Sequence, residues 1–300
     1  MLKISWCQEY KYKLPEGHRF PMEKYELIPE QLLYEGTINN DNLYRPSECS
    51  EDEVLAAHTK SYWHKIKTGQ LTYKEERKIG FPQSPAFTKR SLLISQGTVE
   101  NALYAQKHGV AINVAGGTHH AYAGSGEGFC MLNDFAIASK YLLKNKLAKQ
   151  ILIVDLDVHQ GNGNAKIFEN DSQVFTFSMH GANNYPMHKE NSDLDVPLPD
   201  AIADQAYMKI LDQNLKKLID KVEPDFIFYQ AGVDVLATDR LGKLSLSRAG
   251  CAQRDKLVLE VCKNNSLPVA ISMGGGYSPK LADIIEAHCN TYRLAQEIYF

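Results

Sequence analysis

The sequence predicts a single α/β domain: an open parallel sheet with helices on both faces and its active site at the C-terminal ends of the strands. Three observations predict it. Short apolar, β-branched runs alternate with longer amphipathic ones, the order expected of repeated strand–helix units. The short runs carry almost no polar residue, as strands covered on both faces must. Four of the five runs are followed within a few residues by a cluster of Gly, His or Asp. That is where ligands gather in an open α/β sheet.

In chain order, Ser50 followed by Glu53 reads as a capping box opening a helix to about Lys67. A helical pattern covers Lys89 to His108 and leads into a strand over Val110 to Ala115. A helix over Leu132 to Lys146 precedes strands over Ile151 to Leu156 and Val174 to Ser178. In the helix over Ala201 to Lys221, Leu211, Leu215, Leu218 and Val222 fall at helical spacing and read as core. The strand Phe226 to Gln230, the helix Ser247 to Asn264 and the strand Pro268 to Ser272 complete the pattern. No repeat and no Pro/Gly/Ser linker divides the chain, so residues 1–300 read as one catalytic domain.

Composition excludes several classes. At 300 residues, 44% hydrophobic and 23% charged, the chain is neither disordered nor fibrous. A chain of this length can bury about three quarters of its unfolded surface. Its net charge of −3 provides no bulk attraction to nucleic acid or anionic lipid, so no direct nucleic-acid binding is expected. No apolar run approaches the roughly 20 residues of a membrane span. Met1 to Cys7 lacks the apolar stretch of a secretory signal. Six scattered cysteines without a C-x-x-C pair read as free thiols in a reducing compartment, and a cytoplasmic location is expected. Oligomeric state leaves no signal in the sequence.

The densest chemistry lies in Asp155-Leu156-Asp157-Val158-His159-Gln160-Gly161-Asn162-Gly163. Residues two apart on a strand point the same way, so Asp155, Asp157 and His159 would line one side if the strand stays extended. Carboxylates at such spacing repel unless something cationic sits between them, and a nitrogen–oxygen donor set suits zinc. A catalytic zinc keeps three protein ligands. Asp157 and His159 would be two, and Asp234, just past the run Phe226 to Gln230, is the candidate third. Alone, Asp234 would read as a helix cap or turn residue. The pair His119-His120 follows Gly116-Gly117-Thr118 and offers metal ligands or acid/base groups near neutral pH. In Gly274-Gly275-Gly276-Tyr277, the glycines allow close backbone approach, and the Tyr can offer its hydroxyl to a developing oxyanion. The glycines of Gly124-Ser125-Gly126-Glu127-Gly128-Phe129 lack dinucleotide-loop spacing, and Phe129 reads as a pocket wall.

Together with Gly128-Phe129-Cys130 and Ala231-Gly232-Val233-Asp234, these motifs resemble the zinc-dependent histone deacetylases, in that family's order and over about Tyr10 to His288. Two segments, His159 to Gly163 and Asp239 to Ser247, look most like class IV. The resemblance implies an arginase/deacetylase-like fold and an enzyme that removes acetyl or longer fatty acyl groups from the side-chain amine of lysine in a protein or peptide. It implies Zn²⁺ on Asp157, His159 and Asp234. His120 would be the principal general base and acid, oriented by Asn162, with His119 beside it, held by Asp155. Tyr277 would hydrogen-bond the substrate carbonyl. Phe129 and Tyr185 would form the channel walls and Gly128 its floor. Structural K⁺ is also implied, an inner ion near Asp155, Asp157, His159, Ser178 and Met179 and an outer one near Phe168, Asp171 and Val174.

Many members have an acidic residue where this chain has Asn162, so a lower pKa is expected for His120. The stretch Thr72 to Phe87 offers no safe alignment, leaving the rim residue that grips the substrate backbone unassigned. Alternative readings are a deacetylase of small amines such as acetylpolyamines, an arginase-like two-metal ureohydrolase, and a non-catalytic acyl-lysine reader. The ureohydrolase would need further Asp and His ligands that Gln160, Asn162 and the lone Asp234 do not supply. The reader would have no use for His119, His120 and Tyr277 together.

Overall fold

Every residue of four runs, Val110–Asn113, Ile151–Asp155, Phe226–Gln230 and Val269–Ser272, is buried. A strand with no solvent face needs a strand on each side and a helix layer on each face. The computed structural model, which describes residues 1–300, has that arrangement. Eight strands form one sheet: β1 Lys3–Ser5, β2 Leu43–Tyr44, β3 Val110–Asn113, β4 Ile151–Asp155, β5 Val174–Gly181, β6 Leu194–Leu198, β7 Phe226–Gln230 and β8 Val269–Ser272. Their order is β2-β1-β3-β8-β7-β4-β5-β6. Every pairing is parallel. All strands therefore end on one edge, and β3, β8, β7, β4 and β5 are consecutive neighbours. The segments leaving these five carry the candidate zinc ligands, the two histidines and Tyr277.

Ten helices cover the sheet: α1 Lys24–Tyr34, α2 Glu51–Ala57, α3 Lys60–Thr68, α4 Tyr73–Ile79, α5 Pro85–His108, α6 Asp134–Lys144, α7 Asn162–Phe168, α8 Asp204–Val222, α9 Arg248–Asn264 and α10 Leu281–Tyr299. None is long and apolar enough to cross a membrane. All six cysteines are free and buried.

Three strands escape the sequence pattern. β1 and β2 are too short to make a run, and β6 carries Asp195 and Pro197, which fit only at the sheet edge it occupies. The helix expected from Ser50 to about Lys67 is two helices. His58 is extended between them and Thr59 caps the second, accepting the Tyr62 N–H. The break serves the buried His58 ring. Its Nε2 accepts the Asn133 N–H at 2.9 Å, which leaves Nδ1 as the donor to the Tyr122 carbonyl at 3.1 Å.

That neutral tautomer has a cost in acid. Burial pulls the His58 pKa down to about 4, so the unfolded chain takes up a proton at a pH where the folded one does not. The stability this contributes is present above pH ~6.5 and is lost as pH falls toward ~4, on the order of 3 kcal/mol in all. His58→Gln should flatten the dependence of Tm on pH across that window relative to wild type. Parallel curves for the two proteins would show that His58 is not the group responsible.

Candidate active site

β4 ends at Asp155, so the strand does not stay extended through His159. Asp157 and His159 come together by a different route. The Asp155 carboxylate accepts the Asp157 N–H at 3.2 Å, and the Asp157 carboxylate accepts the His159 N–H at 3.0 Å. Two successive side-chain-to-backbone turns of this kind wind the chain tightly just past the strand. From the loop after β7, Asp234 meets this turn and accepts the Val158 N–H at 2.9 Å.

The three side chains form a buried group whose donor atoms lie within 4.8 Å of one another. Backbone amides fix Asp157 at both oxygens, Gly275 on Oδ2 at 2.8 Å and His159 on Oδ1 at 3.0 Å, and fix Asp234 at Oδ1 through Val158. Asp157 Oδ1 and Asp234 Oδ2 both face His159 Nδ1 at 3.1 Å. Gly275 is required by this closeness: a Cβ there would lie 1.9 Å from Asp234 Oδ2. Burial and the Asp157 charge push Asp234 up to about 7. Burial alone would lower His159, but its hydrogen bonds to Asp157 and Asp234 outweigh that and raise it to about 10. A two-carboxylate, one-imidazole set fits a divalent metal with a preference for nitrogen and oxygen, zinc among them.

Arg254, on α9, fixes both carboxylate loops from below. It is fully buried and donates to the Leu156 carbonyl at 3.2 Å and the Gly232 carbonyl at 2.6 Å, and it pairs with Asp255 at 2.8 Å. The loop after β8 has its own pin. Lys24, buried on α1, donates to the Gly274 carbonyl at 2.9 Å. Burial lowers its pKa to about 8 against the pull of Asp234 and Asp157.

The two histidines sit on the loop after β3, with ring centroids 4.1 Å apart and unlike partners. His119 Nδ1 lies 2.7 Å from Asp155 Oδ2, and although burial opposes it, the Asp155 charge raises His119 to about 9. His120 Nδ1 lies 2.6 Å from Asn162 Oδ1. Burial, then the charges of His119 and His159, hold its pKa well below the usual imidazole range. The Asn162 hydrogen bond acts in the opposite direction and is outweighed.

The sequence reading missed Glu127, which settles the Asn162 orientation. Glu127 is buried, and its Oε1 accepts from Asn162 Nδ2 and from the Tyr185 hydroxyl, both at 2.6 Å. A carboxylate only accepts, so the Asn162 amide must turn its NH₂ to Glu127 and its oxygen to His120. An amide oxygen only accepts in turn, so His120 Nδ1 carries hydrogen and Nε2 keeps its lone pair. Lys78 completes the chain by pairing with Glu127 at the surface. The available signal was a carboxylate between two glycines beside Phe129.

Phe129 and Tyr277 face each other with centroids 5.9 Å apart, and Tyr185 stands edge-on to His120 at 5.0 Å. Gly128 takes φ +57° against the His120 ring, where a Cβ would lie 2.6 Å from Cδ2. It lies against the base and lines both the outer and the inner cavity. The Gly128 and Phe129 amides donate to the Lys78 and Ile79 carbonyls, tying this wall to the end of α4. The Tyr277 N–H donates to Asp239 at 2.6 Å. Burial, then Asp234 and Asp157, raise the Tyr277 pKa well above the usual phenol range, so the hydroxyl remains a donor.

The potassium expectations fare differently. Asp155 and Ser178 are paired across β4 and β5, with Met179 next in the strand. Phe168 ends α7, Val174 opens β5, and Asp171 lies on the turn between them. There the Asp171 carboxylate is taken by the Lys140 ammonium at 2.5 Å and the Gln173 N–H at 3.0 Å.

Two cavities meet at the site. The outer one, about 380 Å³, opens between Phe129, Tyr185 and Tyr277. The inner one, about 40 Å³, is lined by Asp157, His159, His120 and Tyr277 themselves and reaches Phe20, Tyr25, Phe81 and Arg90.

Comparison with known proteins gives a consistent picture. The histone deacetylase domain matches residues 18–292. An uncharacterized protein of Picosynechococcus sp. is 44% identical over 296 residues, covering 99% of both chains. Histone deacetylase 2 of Arabidopsis thaliana is 26% identical over 277 residues, covering 89% of this chain and 72% of that one. Histone deacetylase 1 of Homo sapiens is 28% identical over 306 residues, with 95% of this chain matched to 61% of that longer one. Among solved structures, an HDAC homolog complexed with SAHA superposes with a TM-score of 0.85 at 26% identity, covering 99% of this chain and 84% of that one. An HDAC homolog from Aquifex aeolicus gives 0.84 at 26%, covering 98% and 84%.

Proposed function

Because the chain belongs to the histone deacetylase family, we propose that it is a zinc-dependent hydrolase that removes acetyl-sized groups from the side-chain amine of lysine in proteins or peptides. The observation that carries this reading is the combination in one buried site of a metal-binding group, a neutral imidazole with a free Nε2 and a protonated phenol.

Asp157, His159 and Asp234 would hold the metal, which when bound polarises a carbonyl and lowers the pKa of water toward about 7. The lysine side chain would lie between Phe129 and Tyr185, its acyl carbonyl oxygen toward the Tyr277 hydroxyl. His120 Nε2 takes a proton from the attacking water as the carbon–oxygen bond forms. The Tyr277 hydroxyl donates to the oxyanion that develops on the former carbonyl. His120 then returns the proton to the lysine nitrogen as the carbon–nitrogen bond breaks, giving a carboxylic acid and the amine. His119 is fixed to Asp155, whose charge favours its protonated form, and this suits it to an electrostatic role beside the base. It adds a positive charge where negative charge grows.

The inner cavity favours a short acyl group. A water occupies roughly 10–15 Å³ by the same measure, so about 40 Å³ admits a few waters or an acetyl methyl, not a fourteen-carbon chain. The class IV reading rests on the segments His159 to Gly163 and Asp239 to Ser247, and it does not require a long acyl group. Structural potassium belongs to the proposal only at the inner position. A single three-ligand group supports one catalytic metal rather than the two of a ureohydrolase.

The test is turnover of matched peptides carrying acetyl-, octanoyl- and myristoyl-lysine, with Asp157→Ala setting the background. Acetyl should be released at least tenfold faster than myristoyl, a difference of about 1.4 kcal/mol in activation free energy. Faster release of myristoyl would sink the short-chain reading. Zinc bound without turnover of any acyl-lysine would revive the reader.

A further inference from the structure

The segment Thr72 to Phe87 supplies one residue of the rim, and it is a cation. Lys78, in the last turn of α4, lines the outer cavity together with Arg19 from the loop before α1 and Lys243 from the loop between β7 and α9. All three are exposed. No Asp or Glu lines that cavity, although the chain as a whole carries −3. Lys78 is tied to the buried Glu127. Arg19 lies over the Phe129 ring at 5.2 Å, on the channel wall itself, and neither it nor Lys243 has an ion-pair partner in the chain. An ammonium or guanidinium only donates. The rim is therefore built to meet carbonyl and carboxylate oxygens, and it repels other cations. Asn183 and Asn184 complete this side of the opening without adding charge.

We propose that the cationic mouth formed by Arg19, Lys78 and Lys243 selects acyl-lysines embedded in acidic protein segments, with Asp or Glu within a few residues of the modified lysine, and disfavours polycationic small amines. This rests on the deacylase reading of the same site and narrows its substrate class. The selection is electrostatic. Several like charges converging on one opening raise the local concentration of an anionic segment. The effect reaches about 8 Å at physiological ionic strength and fades as salt rises. An acetylated polyamine would instead bring its remaining ammonium groups to the same three cations.

The experiment compares kcat/KM for three peptides with one central acetyl-lysine and flanks of Asp/Glu, Ser/Gly or Lys, alongside an acetylated polyamine. At low salt the acidic peptide should exceed the neutral one about tenfold, with the basic peptide and the polyamine slowest, and the spread should shrink to about twofold near 0.5 M salt. Arg19→Glu combined with Lys243→Glu should reverse the order of the acidic and basic peptides. Loss of fold would lower all three rates together and cannot reverse their order. The milder Arg19→Gln and Lys243→Gln should each narrow the spread. Equal rates for the three peptides in wild type would overturn this inference while leaving the deacetylase reading intact, as would a polyamine cleaved faster than the acidic peptide. Failure to cleave any acyl-lysine would overturn both.

Discussion

Tyr277→Phe lowers kcat by about 10²–10³-fold and moves KM by less than about threefold. The phenol ring is held independently of its hydroxyl. It packs against Phe20 and Phe129 with centroids 5.9 Å from each, and its own N–H is fixed on Asp239. Phenylalanine keeps those contacts and removes one donor. The hydroxyl of the wild type stays protonated because burial and the two nearby carboxylates oppose the phenolate. It therefore contributes a hydrogen bond that strengthens only as the carbonyl oxygen takes on charge. Steady-state kinetics on an acetyl-lysine peptide decides the matter. A raised KM with kcat intact would place Tyr277 in ground-state binding and remove it from the chemistry.

The second large effect is one of sign. Asn162→Asp is expected to reduce kcat/KM about 100-fold, and adding Glu127→Gln should restore most of it, although Glu127→Gln alone costs about tenfold. Placing an aspartate next to His120 would ordinarily stabilise the imidazolium. Here Glu127 Oε1 already stands 2.6 Å from the Asn162 amide nitrogen, so a second carboxylate would face it at hydrogen-bond distance in a buried setting. One of the two must protonate or withdraw, and either displaces His120. Glutamine at position 127 removes the clash and offers an N–H to the new carboxylate. By itself it loses the charge that fixes the Asn162 orientation, and with it the His120 tautomer. Activities of the two single variants and the double variant form the test. If Asn162→Asp is tolerated while Glu127 is present, Glu127 has no part in orienting the base.

How much was legible in the sequence follows from what each residue depends on. The five buried strands declare themselves because their period is local, and the clusters after them, at His119, Asp157, Asp234 and Tyr277, follow from the polarity of a parallel sheet. Glu127 was not legible because its partners lie 35 and 58 residues away, on loops whose meeting no local pattern encodes. Lys24 is 250 residues from the carbonyl it holds. The extended geometry assumed for Asp155, Asp157 and His159 failed for a local reason. Asp side chains compete for backbone N–H groups and close turns where a ladder would otherwise continue.

Arg254 gives the site one more property. Because a single guanidinium holds the carbonyls of Leu156 and Gly232, the residues immediately before Asp157 and two before Asp234, the two carboxylates are mounted on one frame like the jaws of a vice whose opening is set in the core. A flexible pair could close around a small ion or widen for a large one. Jaws of fixed width would discriminate instead by ionic radius and coordination geometry, the means left to a protein when intrinsic affinity alone would favour the wrong divalent metal.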